Sequence, residues 1–94
     1  MTLRLWSIAR IGAADYDTYD SAVVVAATAD DARHCHPDGP DWKWDGRRWV
    51  QGSPPWDWTD DTWVPPGSVT ASCVGTAATG LEAGHVVCAS FNAG

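Results

Sequence analysis

The stretch that most restricts this chain is Ser21-Ala22-Val23-Val24-Val25-Ala26-Ala27, followed by Thr28-Ala29-Asp30-Asp31-Ala32-Arg33-His34-Cys35-His36. Three β-branched residues in a row, flanked by alanines and lacking polar alternation, suit a short strand covered on both faces better than an edge strand. Thr28 then offers a hydroxyl to cap a helix. Asp30 and Asp31 stand in its first turn, where carboxylates meet the positive end of the helix dipole. Asp31, three residues after Thr28, imitates a capping box with Asp in place of Glu. Pro37 and Gly39 stop the helix. The spacing predicts an internal strand over 21–27 and a helix over 29–36, whose Ala29, Ala32 and Cys35 form a small face able to lie close to a sheet.

Residues 2–9 read as a first strand, with Leu3 and Leu5 on one face and Trp6 and Ile8 on the other. The loop after it is short enough to make this strand and the 21–27 strand antiparallel neighbours. Over 68–75, Val69, Ala71 and Cys73 alternate with Thr70, Ser72 and Val74, and 86–91 forms a last strand. The expected fold class is α+β: a mainly antiparallel sheet of four or five strands, one short helix on one face, and a Trp/Pro-rich hairpin and loop. With 94 residues the chain reads as a single domain, 1–94, carrying an insertion-like segment at about 40–67.

The most specific local signal lies in that segment: Trp42-Lys43-Trp44-Asp45-Gly46-Arg47-Arg48-Trp49-Val50. Asp-Gly between two strand-like runs is a type I′ turn pair. A two-residue loop at Asp45-Gly46 sets Trp44 opposite Arg47 and Trp42 opposite Trp49, so that Trp42, Trp44, Trp49 and Arg47 share one face. Lys43, Arg48 and Val50 take the other. Residues 51–67 read as irregular, because Pro54, Pro55, Pro65 and Pro66 forbid a central strand. Trp6 belongs in the core, since a chain with one Phe needs its large residues inside. Trp42, Trp44, Trp49, Trp56, Trp58 and Trp63 are too many for a thin core. They either fold over one another as a second, small core or present a stacking surface; the sequence leaves both open.

Composition removes several classes of function. Twelve acids against six bases, a formal net charge of -6, disfavour general affinity for nucleic acid. No apolar run reaches the length of a membrane span, and Arg4 and Arg10 interrupt any signal-peptide pattern, so a cytoplasmic protein without a membrane partner is expected. Cys35, Cys73 and Cys88 show no C-x-x-C spacing and are expected as reduced thiols. His34 and His36 flank Cys35, but helical positions two apart point to different sides and no second ligand pair exists, so no metal is expected. No Gly-rich phosphate loop opens a helix and no nucleophile sits on a characteristic turn. Asp15 and Asp17, beside tyrosines in a loop, suit turn capping better than acid–base work. The expectation is a protein with no catalytic residues and no cofactor.

Several motifs together point to a context. Leu3-Arg4-Leu5-Trp6-Ser7-Ile8-Ala9-Arg10, the Tyr16-Asp17-Thr18-Tyr19-Asp20 loop, the 23–27 strand leading into Ala32-Arg33, and the closing Ser90-Phe91-Asn92-Ala93-Gly94 resemble a family of small bacteriophage proteins. The resemblance covers roughly half the chain, at both ends, and brings no catalytic residues. It implies an accessory, counter-defence role in an infected bacterial cell: binding a host defence protein or sequestering a nucleotide signal. The closing segment can then line a site or lock onto the Tyr16/Tyr19 loop.

Two functional readings follow. In the first, a non-enzymatic module takes a nucleotide-like or other anionic planar ligand through Trp42, Trp44, Arg47, Arg48, Trp49, Trp56 and Trp58, by ring stacking beside a guanidinium. In the alternative, an acidic interaction inhibitor docks on a basic host protein through Asp15, Tyr16, Asp17, Tyr19, Asp20, Asp60 and Asp61. A homo-oligomer is compatible with either.

Overall fold

The computed structural model describes residues 2–12 and 18–92 of the chain. In order, these form β1 (Arg4–Arg10), β2 (Thr18–Ala26), α1 (Ala29–Arg33), β3 (Trp42–Trp44), β4 (Trp49–Gln51), β5 (Trp58–Asp60), a 3-10 turn (Pro66–Ser68), β6 (Val69–Thr76) and β7 (Val86–Asn92). The class is α+β, with antiparallel sheets and one short helix. The strands divide into a four-stranded sheet of order β6-β1-β2-β7 and a separate three-stranded sheet of order β3-β4-β5. This corrects the expectation of one sheet with an irregular Trp/Pro loop: β5 forms inside that loop. It is an edge strand, as the neighbouring prolines require, because an edge has one unpaired side to spare.

The apolar run of β2 explains its central place. β2 pairs with β1 on one side and β7 on the other, so its backbone is satisfied along both flanks. In the β1–β2 register Trp6 stands opposite Val24 and Ile8 opposite Ala22. That face carries the main core, in which Ile8, Ala22, Val24 and Ala26 meet Ala32 of α1, Val69 of β6 and the indoles of Trp49 and Trp63. The three-stranded sheet thus contributes its central tryptophan to the core of the larger sheet. Trp6 closes the rim, donating its Nε1–H to the carbonyl of Ala26 at 2.9 Å. In β6 the alternation holds at Val69 and Ala71 and breaks at Cys73, which is exposed; Val74, also exposed, is the extra residue at the register shift opposite Leu5 and Trp6.

Thr28 caps α1 as its sequence suggests, its Oγ1 accepting the Asp31 N–H at 3.1 Å. The helix is shorter than the expected 29–36. His34 is already its C-cap, and the chain leaves helical geometry there. Pro37 is the physical reason, since its ring disfavours helical backbone at His36. Freed from the helix, His36 turns inward and is buried.

The hairpin differs from its expected register. Trp44 pairs with Trp49 and Trp42 with Gln51, so the turn centres on Gly46-Arg47, one residue further on. The Asp45 carboxylate causes the slip: its Oδ1 accepts the N–H groups of both Arg47 and Arg48 at 2.8 Å, while the Asp45 N–H donates to the Arg48 carbonyl at 3.1 Å. This side-chain turn draws Asp45 into the end of the strand, and Gly46 absorbs the positive φ of 101°. Trp42, Trp44 and Trp49 still share a face because side-chain parity survives the slip. Arg47 leaves that face and Gln51 joins it. After β4 the chain turns at Gly52, whose φ is 97° and whose missing Cβ leaves room for the Asp57 carboxylate.

Cys35, Cys73 and Cys88 are free thiols, the last two exposed. Burial, assisted by the charge of Asp31, pushes the Cys35 thiol up to about 11 from an ordinary 9.0. Because the thiolate is the nucleophile, iodoacetamide at pH 8 is expected to alkylate Cys73 and Cys88 first. Cys35 should lag by one to two orders of magnitude, roughly the loss of thiolate that this shift implies. A mass-spectrometric time course reads this directly, and equal rates would contradict the burial of Cys35. No helix among the described residues is long and apolar enough to cross a membrane.

Candidate functional site

The side chains that converge on a shared space do so where the two sheets meet. Turn chemistry begins the site: His36-Pro37-Asp38-Gly39 reverses the chain after α1, closed by the Gly39 N–H on the His36 carbonyl at 3.1 Å. The Asp38 N–H donates to His36 Nδ1 at 3.0 Å, so the imidazole proton lies on Nε2, which meets Asp60 Oδ2 of β5 at 2.5 Å. The His36 ring stacks on Trp42 with centroids 5.1 Å apart and meets Trp49 edge-on at 5.2 Å. His36, only 3% exposed, therefore ties α1, the hairpin and β5 together.

Asp38 builds the second half. Its Oδ1 accepts the Tyr19 hydroxyl and its Oδ2 the Trp42 indole N–H, each at 3.0 Å. Tyr19, from β2, meets Phe91 of β7 edge to face at 5.0 Å. The result is a cleft of about 510 Å³ between the sheets, walled by Tyr19, Phe91, Trp42 and Trp58, with Asp38 and Asp60 among its polar groups. Trp58 is 66% and Phe91 49% exposed. Such open rings beside ionised groups are the kind of surface on which partners anchor.

The electrostatics of the cleft are one-signed. Burial opposes ionisation of Asp60, but bonds from His36 and from the amide and hydroxyl of Thr62 overcome it and hold the carboxyl well below the usual carboxylate range. Burial, the hydrogen bond to Asp38 and the charges of Asp38 and Asp60 together push the Tyr19 phenol up. No Lys or Arg lines the cleft among the described residues. Arg10 of β1 reaches the Thr62 carbonyl at 3.4 Å but is not one of the lining residues.

The residues named from sequence fall in different places. Trp42 and Trp58 line the cleft. Trp49 is core, fully buried, with its Nε1–H donating to the Val64 carbonyl at 3.0 Å, and so offers no contact to a ligand. Trp44 is half-buried and packs edge-on against Trp49 at 5.4 Å; Trp56 is half-buried and outside the cleft. Arg47 and Arg48 are exposed and line a separate hollow of about 330 Å³ with Asp45, where no tryptophan joins them. The expected face of rings beside Arg47 is therefore divided, because the Asp45 turn carries the arginines away from the strands.

Of the acidic set, Tyr19 and Asp60 come together in the cleft, Asp20 lies on β2 outside it, and Asp61 is exposed. Asp15, Tyr16 and Asp17 lie outside the described residues, as do Ala93 and Gly94. Ser90 to Asn92 belong to β7, and Phe91 meets Tyr19, the one part of the closing-segment reading that falls within the described residues.

Sequence reasoning missed Asp38 and His36. The Pro-Asp-Gly turn is the available signal for Asp38. Nothing local marks a bond between His36 and Asp60, 24 residues apart. A larger groove, about 640 Å³ between α1 and the start of β6, carries an Asp30–Arg33 ion pair and a His34 ring bonded to the Asp30 carbonyl, so its charged groups are already engaged. No three His, Cys, Asp or Glu side chains are grouped to hold a metal ion among the described residues. Comparison with protein-family models, curated proteins and solved structures returns no match.

Proposed function

We propose that this domain is a non-enzymatic binding module that docks on a basic protein surface through the cleft between its sheets. The observation that carries this reading is the pairing of exposed rings, Trp58 and Phe91, with the Asp38 and Asp60 carboxylates in a cleft that no Lys or Arg lines among the described residues. The chain's net charge of -6 favours encounter with a positive partner. Binding is favoured over catalysis because both His36 nitrogens are engaged and its ring is buried, leaving no lone pair to take a proton from a substrate. If the resemblance to small phage proteins extends to role, the basic surface belongs to a host defence protein.

A nucleotide-like anion would instead have to use Arg47 and Arg48 at the hairpin tip, apart from the open rings. The two readings separate in one experiment. Fluorescence polarisation with labelled peptides of equal length, one Lys/Arg-rich, one Asp/Glu-rich and one Ser/Gly-rich, is expected to show binding of the basic peptide alone. Trp58→Ala should weaken it about tenfold, as for an interface anchor, and added salt should weaken it further. Arg47→Ala should leave it unchanged. Saturable binding of AMP that is lost in Arg47→Ala, with no basic-peptide binding, would overturn the proposal in favour of an anionic ligand.

A further inference from the structure

We propose that the cleft recognises the guanidinium group of an arginine side chain on that basic partner, an inference that rests on the docking reading above and names the chemistry of its anchor. The argument starts from unused bonding capacity. An ionised carboxylate offers about four acceptor positions. Asp38 spends one on the Tyr19 hydroxyl and one on the Trp42 indole, both neutral donors, and is itself exposed. Among the described residues no cation pairs with its charge, and acceptor positions are left for an incoming donor. Asp60 is more nearly saturated, by His36 and twice by Thr62, and adds negative field without needing a partner.

The rings then select among cations. Trp58 and Phe91 expose apolar π-surface in the same cleft, and a cation over an indole face gains further attraction. A guanidinium is planar and weakly hydrated, so it can stack on a ring while its N–H edge addresses a carboxylate. A lysine ammonium is compact and strongly hydrated; it gains the charge but forfeits the stacking. An anion of any shape meets two carboxylates. The cleft, at about 510 Å³, has room for one such side chain and part of its backbone.

The test uses the whole chain, labelled with 15N, and three peptides: acetyl-Gly-Arg-Gly-amide and its lysine and citrulline counterparts. Citrulline keeps the planar end group and removes the charge. Titration is expected to give a saturable shift of the Trp58 and Trp42 indole N–H signals with the arginine peptide, and binding about tenfold or more weaker with the other two. Asp38→Asn should weaken the arginine peptide about tenfold and leave the citrulline peptide unchanged. Trp58→Ala, at an exposed site where folding is not at stake, should weaken all three. Equal binding of the arginine and lysine peptides through Trp58 would overturn the guanidinium assignment and leave the docking reading standing, whereas equal binding of the uncharged citrulline peptide would overturn both. Absence of any Trp58-dependent shift, with arginine peptide or with the longer basic peptide, would overturn both.

Discussion

Replacing Trp49 with alanine is expected to remove about half or more of the domain's stability. Trp49 is fully buried, contributed by the middle strand of the small sheet to the core of the large one. Truncating a buried tryptophan costs about 3–5 kcal/mol. The variant also strands the Val64 carbonyl, which accepts the Trp49 Nε1–H, and removes one wall of the His36 ring site. A domain of this size has only about 5–10 kcal/mol to lose. Urea or thermal unfolding by far-UV circular dichroism measures the loss. Trp58→Ala serves as control and should stay within about 0.5 kcal/mol of the parent, since its ring is exposed. A Trp49→Ala protein that unfolds cooperatively with its midpoint lowered by only a few degrees would show that the two sheets do not depend on this ring. Milder variants should separate the indole bond from the ring. Trp63, equally buried, has an Nε1–H without a partner among the described residues, so Trp63→Phe should cost less than Trp49→Phe.

Acid is expected to open the junction of the two sheets, and Asp60→Asn should remove most of that acid sensitivity. In the folded protein His36 and Thr62 outweigh the burial of Asp60 and hold its carboxyl far below the ordinary 3.8 at which the unfolded chain titrates. Below the unfolded pKa, then, the unfolded state binds the proton and the folded state does not. The stabilisation from this depressed carboxylate is complete above about pH 4–5 and drains as pH falls toward the folded pKa. Hydrogen bonds to a charged group are worth about 1.5–3 kcal/mol, so Asp60→Asn should lose about that much at pH 7. At pH 2 its stability should approach that of the parent. Urea midpoints measured every half unit from pH 2 to 7 test this, with convergence at low pH as the signature. Parallel curves with a constant offset would mean that the Asp60 charge contributes nothing through its pKa. His36→Ala should be worse than Asp60→Asn at neutral pH, because it leaves an ionised, half-buried carboxylate short of a donor and a gap between Trp42 and Trp49.

What the amino-acid order determined by itself is local. Three consecutive valines between alanines demand cover on both faces, and β2 is internal. Thr28 and the acids after it start a helix wherever they are placed, because the bonds they make span three residues. Prolines around 54 and 65 confine any strand between them to an edge. Trp42, Trp44 and Trp49 share a face in either register, since moving the turn by one residue shifts the cross-strand pairing by two, which is the period of side-chain alternation.

Tertiary structure decided what depends on distance. The choice of Gly46-Arg47 over Asp45-Gly46 for the turn is not of this kind: it rests on the Asp45 carboxylate taking two backbone donors two and three residues away, a local preference that strand patterns do not record. Which tryptophans are core and which are surface followed from how the small sheet lies on the large one: Trp49 and Trp63 inside, Trp58 out. The cleft itself unites Tyr19, His36, Asp38, Asp60 and Phe91 from both ends and the middle of the chain. Only the closing of the long segments between them could bring a lone carboxylate, a buried imidazole and two open rings to one place.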